Sequence, residues 1–346
     1  MSNKTTGIIG VLLFVLVILA ILNISIGSVY IPVEDILAVV SGKNIDNSGW
    51  QNIIIHFRLP KAITAILVGS GLGISGLLMQ TLFRNPLAGP FVLGISSGAS
   101  LGVAVAILAG MTMGWGLTQI GIGGSWILTI SASLGAFAVL FVVVMVSMRV
   151  QDSMSLLIVG LMFGSATGAI VTVLQFFSKA ESIQAYLVWT FGSLGGLTWM
   201  ELKVFIPVII IALGGSFLLS KSLNALLLGD NYARSMGVNI KKTRFIIIFV
   251  TSLLAGTITA FCGPIAFIGI AIPHLTRLIF NAANHKTLFP MVILNGAILM
   301  LACDIIAQVP GQEYTLPINA VTSVFGAPIV IWLVIRRKNF SKSFAN

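Results

Sequence analysis

Ten runs of about twenty apolar residues, separated by polar segments or, once, by a glycine–proline break, decide which solvent this chain can fold in. The runs are 8–28, 60–82, 91–110, 125–148, 155–177, 201–220, 244–262, 264–281, 287–309 and 317–335. About 20 apolar residues in a helix match the hydrocarbon thickness of a bilayer. Residues 244–281 are too long for one span, and Gly263-Pro264 divides them, because proline removes a backbone donor and clashes with the preceding turn. Only 8% of the 346 residues are charged and 57% are hydrophobic, whereas a soluble domain carries roughly 25% charged residues. The fold class expected is an all-α polytopic membrane protein of about ten helices, a single transmembrane domain over 1–346. The N-terminal run has the shape of a signal peptide, but no clean small-x-small cleavage site follows it, so it reads as an uncleaved first span.

The turns give the topology. Phe83-Arg84-Asn85-Pro86-Leu87-Ala88-Gly89-Pro90 holds an arginine, an amide and two prolines, so it belongs at a membrane surface between two antiparallel spans. With ten spans and both termini cytoplasmic, the inner segments hold Lys4, Arg84, Arg149, Lys221, Arg234, Lys241, Lys242, Arg244, Arg277, Lys286, Arg336, Arg337, Lys338 and Lys342. The outer segments hold only Lys43, Arg58, Lys61, Lys179 and Lys203. This lysine and arginine bias orients membrane proteins, and it accounts for the net charge of +10 without nucleic acid. Most acids, among them Glu34, Asp35, Glu181, Glu201, Asp304 and Glu313, fall outside or near outer ends. Tyr186, Trp189, Phe191 and Trp199 in the segment 178–200 predict an aromatic belt with a short surface helix.

Several chemistries are excluded. Cys262 and Cys303 lie in apolar stretches, and His56, His274 and His285 are scattered, so neither a disulfide framework nor a metal site is expected. Gly71-x-Gly73-x-x-Gly76 matches a dinucleotide fingerprint only in letters, since it lies mid-span and not after a strand. No Gly-x4-Gly-Lys-Ser/Thr occurs, so the chain has no ATP-hydrolysing loop of that kind. Buried carboxylates, the mark of an ion-coupled carrier, are scarce, with Asp304 the nearest exception. No polar catalytic cluster appears at either face, so the chain is not expected to be an enzyme or to hold a cofactor.

Small residues recur every four positions at Gly94/Gly98/Gly102 and Gly160/Gly164/Gly168. In lipid such faces let helix backbones approach, so these six positions are expected to pack helices, and some to line a path or a subunit seam. The inner loop 221–243 is the longest on its side. Asp230 can cap a short helix there and Gly237 can end it. Leu226, Leu227, Ala233 and Met236 would leave apolar surface, fitted either to the bilayer surface or to a cytosolic protein.

Arg58-Leu59-Pro60-Lys61, Val68-Gly69, Ser75-Gly76, Gln80, Phe83-Arg84-Asn85-Pro86-Leu87-Ala88, Gly94 and Ser96-Ser97-Gly98-Ala99 form an ordered set. It continues in Leu228-Gly229-Asp230, Ala233-Arg234-Ser235-Met236-Gly237-Val238, Gly263-Pro264-Ile265-Ala266-Phe267-Ile268-Gly269, Pro273-His274-Leu275-Thr276-Arg277 and Gly326-Ala327-Pro328. From residue 58 to the C-terminus the chain resembles the FecCD-type permeases of ABC importers for iron–siderophore, haem and cobalamin. The resemblance implies a multi-pass inner-membrane subunit that pairs with a second permease, by expectation a copy of itself. Two cytoplasmic ABC ATPase subunits would bind inside and a substrate-binding protein outside. Leu228, Gly229, Asp230, Ala233, Arg234, Met236 and Gly237 would couple to the ATPase, and Arg58 and Lys61 would meet acids on the binding protein. The last outer loop, Pro310-Gly311-Gln312-Glu313-Tyr314, carries an acid and no base, where the family often has another basic docking residue. The cargo implied is a metal chelate, iron–siderophore first, with haem or cobalamin as alternatives. The rival reading is an ion-coupled secondary transporter of a small metabolite.

Overall fold

The computed structural model describes residues 3–109, 122–149, 153–280, 284–309 and 314–335. Among these residues the chain is helical, with no strand. The helices are α1 (Asn3–Ser25), α2 (Val33–Val40), α3 (Ser48–Ile53), α4 (Leu59–Phe83), α5 (Ile95–Ala104), α6 (Ile122–Arg149), α7 (Ser153–Phe176) and α8 (Ala180–Thr190). They continue as α9 (Trp199–Leu218), α10 (Ser220–Leu227), α11 (Asp230–Ser235), α12 (Ile240–Cys262), α13 (Ile268–Phe280), α14 (His285–Ala307) and α15 (Ile318–Ile335). A π turn at Ile54–Arg58 runs α3 into α4, and another at Val105–Ala109 extends α5.

Each of the ten apolar runs overlaps one of these helices. Seven are long and apolar enough to cross a membrane, within α1, α3–α4, α6, α7, α9, α12 and α14. Three apolar helices are shorter among the described residues: Ile95–Ala109, Ile268–Phe280 and Ile318–Trp332. Two of them begin late for local reasons. Residues 90–93 form a 3-10 turn that Gly94 ends in the left-handed region, so the run from 91 becomes helical only at Ile95. Gly263, at φ 75°, ends α12, and the chain stays irregular to Ile268. The predicted division of 244–281 is therefore present, with the break longer than a tight turn. Asparagines that sequence reading passed over set three starts: the side chains of Asn47, Asn239 and Asn284 accept from the backbone N–H of Trp50, Lys242 and Lys286. They satisfy donors that a helix start leaves unpaired.

The chain divides into two compact units. The first comprises 1–74, 193–210 and 266–346. Here α1 lies along α14, and α13, α14 and α15 pack on one another. Gly69 of α4 and Gly296 of α14 bring two backbones together: a Cβ on either would run into the carbonyl of the other. Ile24, Ile31, Ile36, Val39, Ile54 and Ala62 form a buried cluster beneath α2 and α3.

The second unit comprises 75–192 and 211–265. Its axis is the contact of α5 with α6. A Cβ on Gly98 would come 2.5 Å from the Gly135 carbonyl oxygen, and one on Gly102 would run into that of Ser131. Gly160 meets the Val92 carbonyl in the same way, and Gly94 packs beside Gly160. Four of the six predicted packing glycines are thus contact points. The other two are not: a Cβ on Gly164 would meet only the Ser97 hydroxyl at 3.4 Å, and one on Gly168 would meet nothing. The small-residue periodicity of α7 continues past the turn that packs and onto an exposed face.

Overfilled helix contacts cost about 1–3 kcal/mol. Gly102→Val is therefore expected to lower the melting temperature of the purified subunit, while Gly10→Ala, on an open face of α1, leaves it unchanged. Cys262 and Cys303 are both buried, so a thiol-reactive fluorescent dye reports the transition directly.

Candidate functional site

The loop and short helix between α9 and α12 form within the second unit. Gly229, at φ 111°, occupies the N-cap of α11, a conformation that disfavours any side chain. Asp230 is consequently the first residue inside the helix, and its side chain makes no capping bond. This corrects the expected capping role. The carboxylate instead accepts from two arginines, Arg84 Nη2 at 2.5 Å on one oxygen and Arg244 Nη2 at 2.7 Å on the other. Arg84 Nε also donates to the Leu226 carbonyl at 3.1 Å.

Arg84 reaches this position through its backbone. It follows α4 at φ 45°, a left-handed conformation uncommon for a residue with a Cβ. Asn85 N–H then donates to the Gln80 carbonyl at 3.1 Å, closing the helix end. The Asn85 side chain accepts from Leu87 N–H at 3.0 Å, and Ala88 N–H donates to the Asn85 carbonyl at 3.0 Å across Pro86. Proline's fixed φ suits the second position of such a turn. The Arg-Asn-Pro motif therefore builds a rigid turn that aims one guanidinium at α11.

Gly237, at φ 81°, ends α11, with Gly237 N–H donating to the Arg234 carbonyl and Val238 N–H to that of Ala233, as expected of a left-handed helix stop. The expected apolar surface differs in membership. Ala233 of α11 and Leu226 at the end of α10 are buried, whereas Leu228, Tyr232 and Met236 are exposed, Met236 by 59%. Tyr232 was missed because a tyrosine in a polar hexapeptide carries no periodic signal. Lys221, Arg234, Lys241 and Lys242 are also exposed in this region.

The predicted docking bases lie in the first unit, where neither presents a free charge. Arg58 is 9% exposed. Its guanidinium donates to the carbonyls of Ile24 at 2.5 Å, Ser25 at 2.8 Å and Val29. Ile24 and Ser25 end α1, where a helix has no further N–H of its own to offer its carbonyls, and Val29 follows in the next turn of chain, so Arg58 closes α1. Gly27 clears the space, since a Cβ there would lie 2.8 Å from Arg58 Nη2. Lys61 Nζ pairs with Asp304 at 3.1 Å, with side-chain exposures of 19% and 3%. The other Asp304 oxygen accepts from Asn23 Nδ2 at 2.8 Å and Gln308 Nε2 at 3.0 Å. The exposed role read for Arg58 is thus corrected to a buried, structural one, and Lys61 keeps only partial access. The turn 310–313, with Glu313, and Arg336, Arg337, Lys338 and Lys342 lie outside the described residues.

In the second unit, two motif serines of α5 find polar partners: Ser96 Oγ lies 3.2 Å from Thr259 Oγ1, and Ser100 Oγ lies 2.5 Å from Tyr186 Oη. Burial pushes the Tyr186 phenol up from its ordinary value. Tyr186 sits on α8, where the short surface helix was expected. No group of three or more His, Cys, Asp or Glu that could hold a metal occurs among the described residues.

The FecCD transport family matches residues 15–336. This chain belongs to that family. It is 35% identical over 83% of its length, and 84% of the relative, to the vitamin B12 import system permease protein BtuC of Klebsiella pneumoniae. It is 32% identical to the hemin transport system permease protein HmuU of Yersinia pestis, over 95% of this chain and 96% of that one. A solved metal-chelate type ABC transporter in an inward-facing conformation superposes with a TM-score of 0.83 at 30% identity, covering 96% of this chain and 99% of its own. The chain is a multi-span membrane permease of an ABC importer.

Leaving one member of a buried ion pair costs about 3–5 kcal/mol, less where water reaches a partner. Lys61→Met is expected to destabilise the subunit by ~2 kcal/mol, below that range because water reaches the lysine, and adding Asp304→Asn should recover most of the loss in a thermal melt. Arg58→Glu with Lys61→Glu is expected to eliminate folded protein from the membrane fraction, beyond any slowing of docking.

Proposed function

We propose that this permease, paired with a second copy, imports a bulky metal chelate: iron–siderophore first, with haem and cobalamin as the other members of the class. Separate ABC ATPase subunits drive it from the cytoplasm, and an extracytoplasmic binding protein delivers the cargo. The observation that carries this reading is the exposed apolar triad of Leu228, Tyr232 and Met236, on and immediately flanking α11, with Leu226 at the end of α10 and Ala233 of α11 buried. A surface of this kind suits a cleft in a partner protein. The cargo class follows the metal-chelate type of the structural neighbour and the vitamin B12 and hemin named for the relatives.

The second copy is placed against α7. Ser165, Gly168, Ala169 and Thr172 are exposed there, at helical spacing. Small residues permit close backbone approach in lipid, and their hydroxyls line a path more readily than leucine would. An ion-coupled carrier would use Asp304 as its exchanging carboxylate. Lys61, Asn23 and Gln308 already engage that group, which favours the ATP-driven reading.

Mechanistically, the chain does no covalent chemistry. ATP binding closes the ATPase pair, and the motion is delivered at α11. A ligand shifts a two-state equilibrium only through differential contacts, so α11 must sit differently in the open and closed ATPase cleft.

Met236→Asp with Tyr232→Asp is expected to abolish co-purification of the ATPase while the permease still inserts. Ala233→Asp, at a buried position, should instead lower the amount of folded protein. Proteoliposomes of the complete importer, offered a ferric siderophore, haemin and vitamin B12, identify the cargo by ATP-dependent accumulation. Uphill uptake by the permease alone, with no ATPase present, would overturn the proposal.

A further inference from the structure

The Arg-Asn-Pro turn after α4 lies outside the exposed apolar triad, yet it is built at a cost. A non-glycine residue in the left-handed region costs roughly 1–2 kcal/mol, and Arg84 adopts it at φ 45°. The pair it gains with Asp230 is partly open to water, with side-chain exposures of 42% and 32%. Such pairs are worth about 0–1 kcal/mol. Stability alone does not favour an arginine here, since glycine would relieve the backbone at once.

A second local cost points to the same carboxylate. The first turns of α12 carry Lys241, Lys242 and Arg244 and no acid, against the preference of a helix start for negative charge. Asp230 offsets this, its second oxygen taking Arg244 at 2.7 Å. Arg84 is also bound to α10 through the Leu226 carbonyl. One carboxylate therefore joins the C-terminal end of α4, the end of α10, the start of α11 and the start of α12, all within one compact unit.

We infer that Arg84, Asp230 and Arg244 are positioning residues that make the turn after α4 a second arm of the ATPase-coupling element. A push on α11 moves the end of α4 and the start of α12 with it. Without the clamp, α11 swings on Gly229 and Gly237, both at positive φ, and the push is absorbed in the loop. This rests on the coupling role of α11 proposed above and extends it to a loop that makes no part of the exposed apolar triad.

The test uses the assembled importer in proteoliposomes, reading how far the binding protein accelerates ATP hydrolysis per captured ATPase. That signal crosses the membrane through the permease and needs no identified cargo. Arg84→Gly relieves the left-handed backbone while removing the clamp, so its melting temperature should hold or rise as the acceleration falls about fivefold or more, the lower end of usual coupling strengths. Asp230→Asn should fall likewise, and Arg84→Lys should recover part of the effect. High salt should weaken acceleration in the wild type and add little in either clamp variant. Unchanged acceleration in Arg84→Gly, or a fall matched by loss of melting temperature in every variant, would overturn the inference. A wild-type permease that captures no ATPase would instead bring down the coupling role of α11 itself, and this inference with it.

Discussion

Hydrocarbon offers no partner to an amide or a charge, so every polar group in a span must be matched from within the protein. In this chain the constraint drives charge and irregular backbone to the helix ends. Arg58 takes three carbonyls where α1 stops. Asp304, near the end of α14, is met by an ammonium and two amides. Asp230 is met by two guanidiniums where α11 begins. The middles of the spans hold glycine contacts, hydrocarbon and a few small hydrogen-bonded polar groups such as Ser70 on the Ile293 carbonyl, and there dispersion replaces the hydrophobic effect as the main adhesive.

The two kinds of end do different work. In the first unit the ionic groups are buried and hold helices in register, and removing one strands another away from water. In the second unit the ion pairs are partly wet and individually weak, yet they converge on one carboxylate between two glycine hinges. Weak pairs of this kind add little to stability, so their arrangement is better understood as mechanical: they decide which pieces of backbone share a displacement.

The all-helical, multi-span class was readable because repeated runs of about twenty apolar residues leave few alternatives, and seven of the described helices are long and apolar enough to cross a membrane. The break at Gly263 was readable from a single dipeptide. What sequence did not reveal was side-chain direction. Arg58 and Lys61 stand at a span end and so read as surface charges, but the α1 terminus folds across them and consumes Arg58. Ala233 and Leu226 read as outward apolar residues because the phase of helices as short as α11 and α10, six and eight residues, is not fixed by their sequence. Gly229 took the cap that Asp230 was expected to supply, since only a φ of 111° brings the chain into α11. Gly168 shares the spacing of Gly160 but lies about two turns beyond that last backbone contact.

The backbone contacts at Gly69–Gly296 and Gly98–Gly135 carry an evolutionary consequence. At an ordinary interface, a residue that grows can be accommodated by a partner that shrinks. Here both partners are already the smallest residue, and the obstruction is a carbonyl oxygen present whatever the side chain. No second-site change of residue type can restore the fit. These positions should therefore stay fixed independently while their neighbours drift, and two helices can separate only by giving up the crossing altogether.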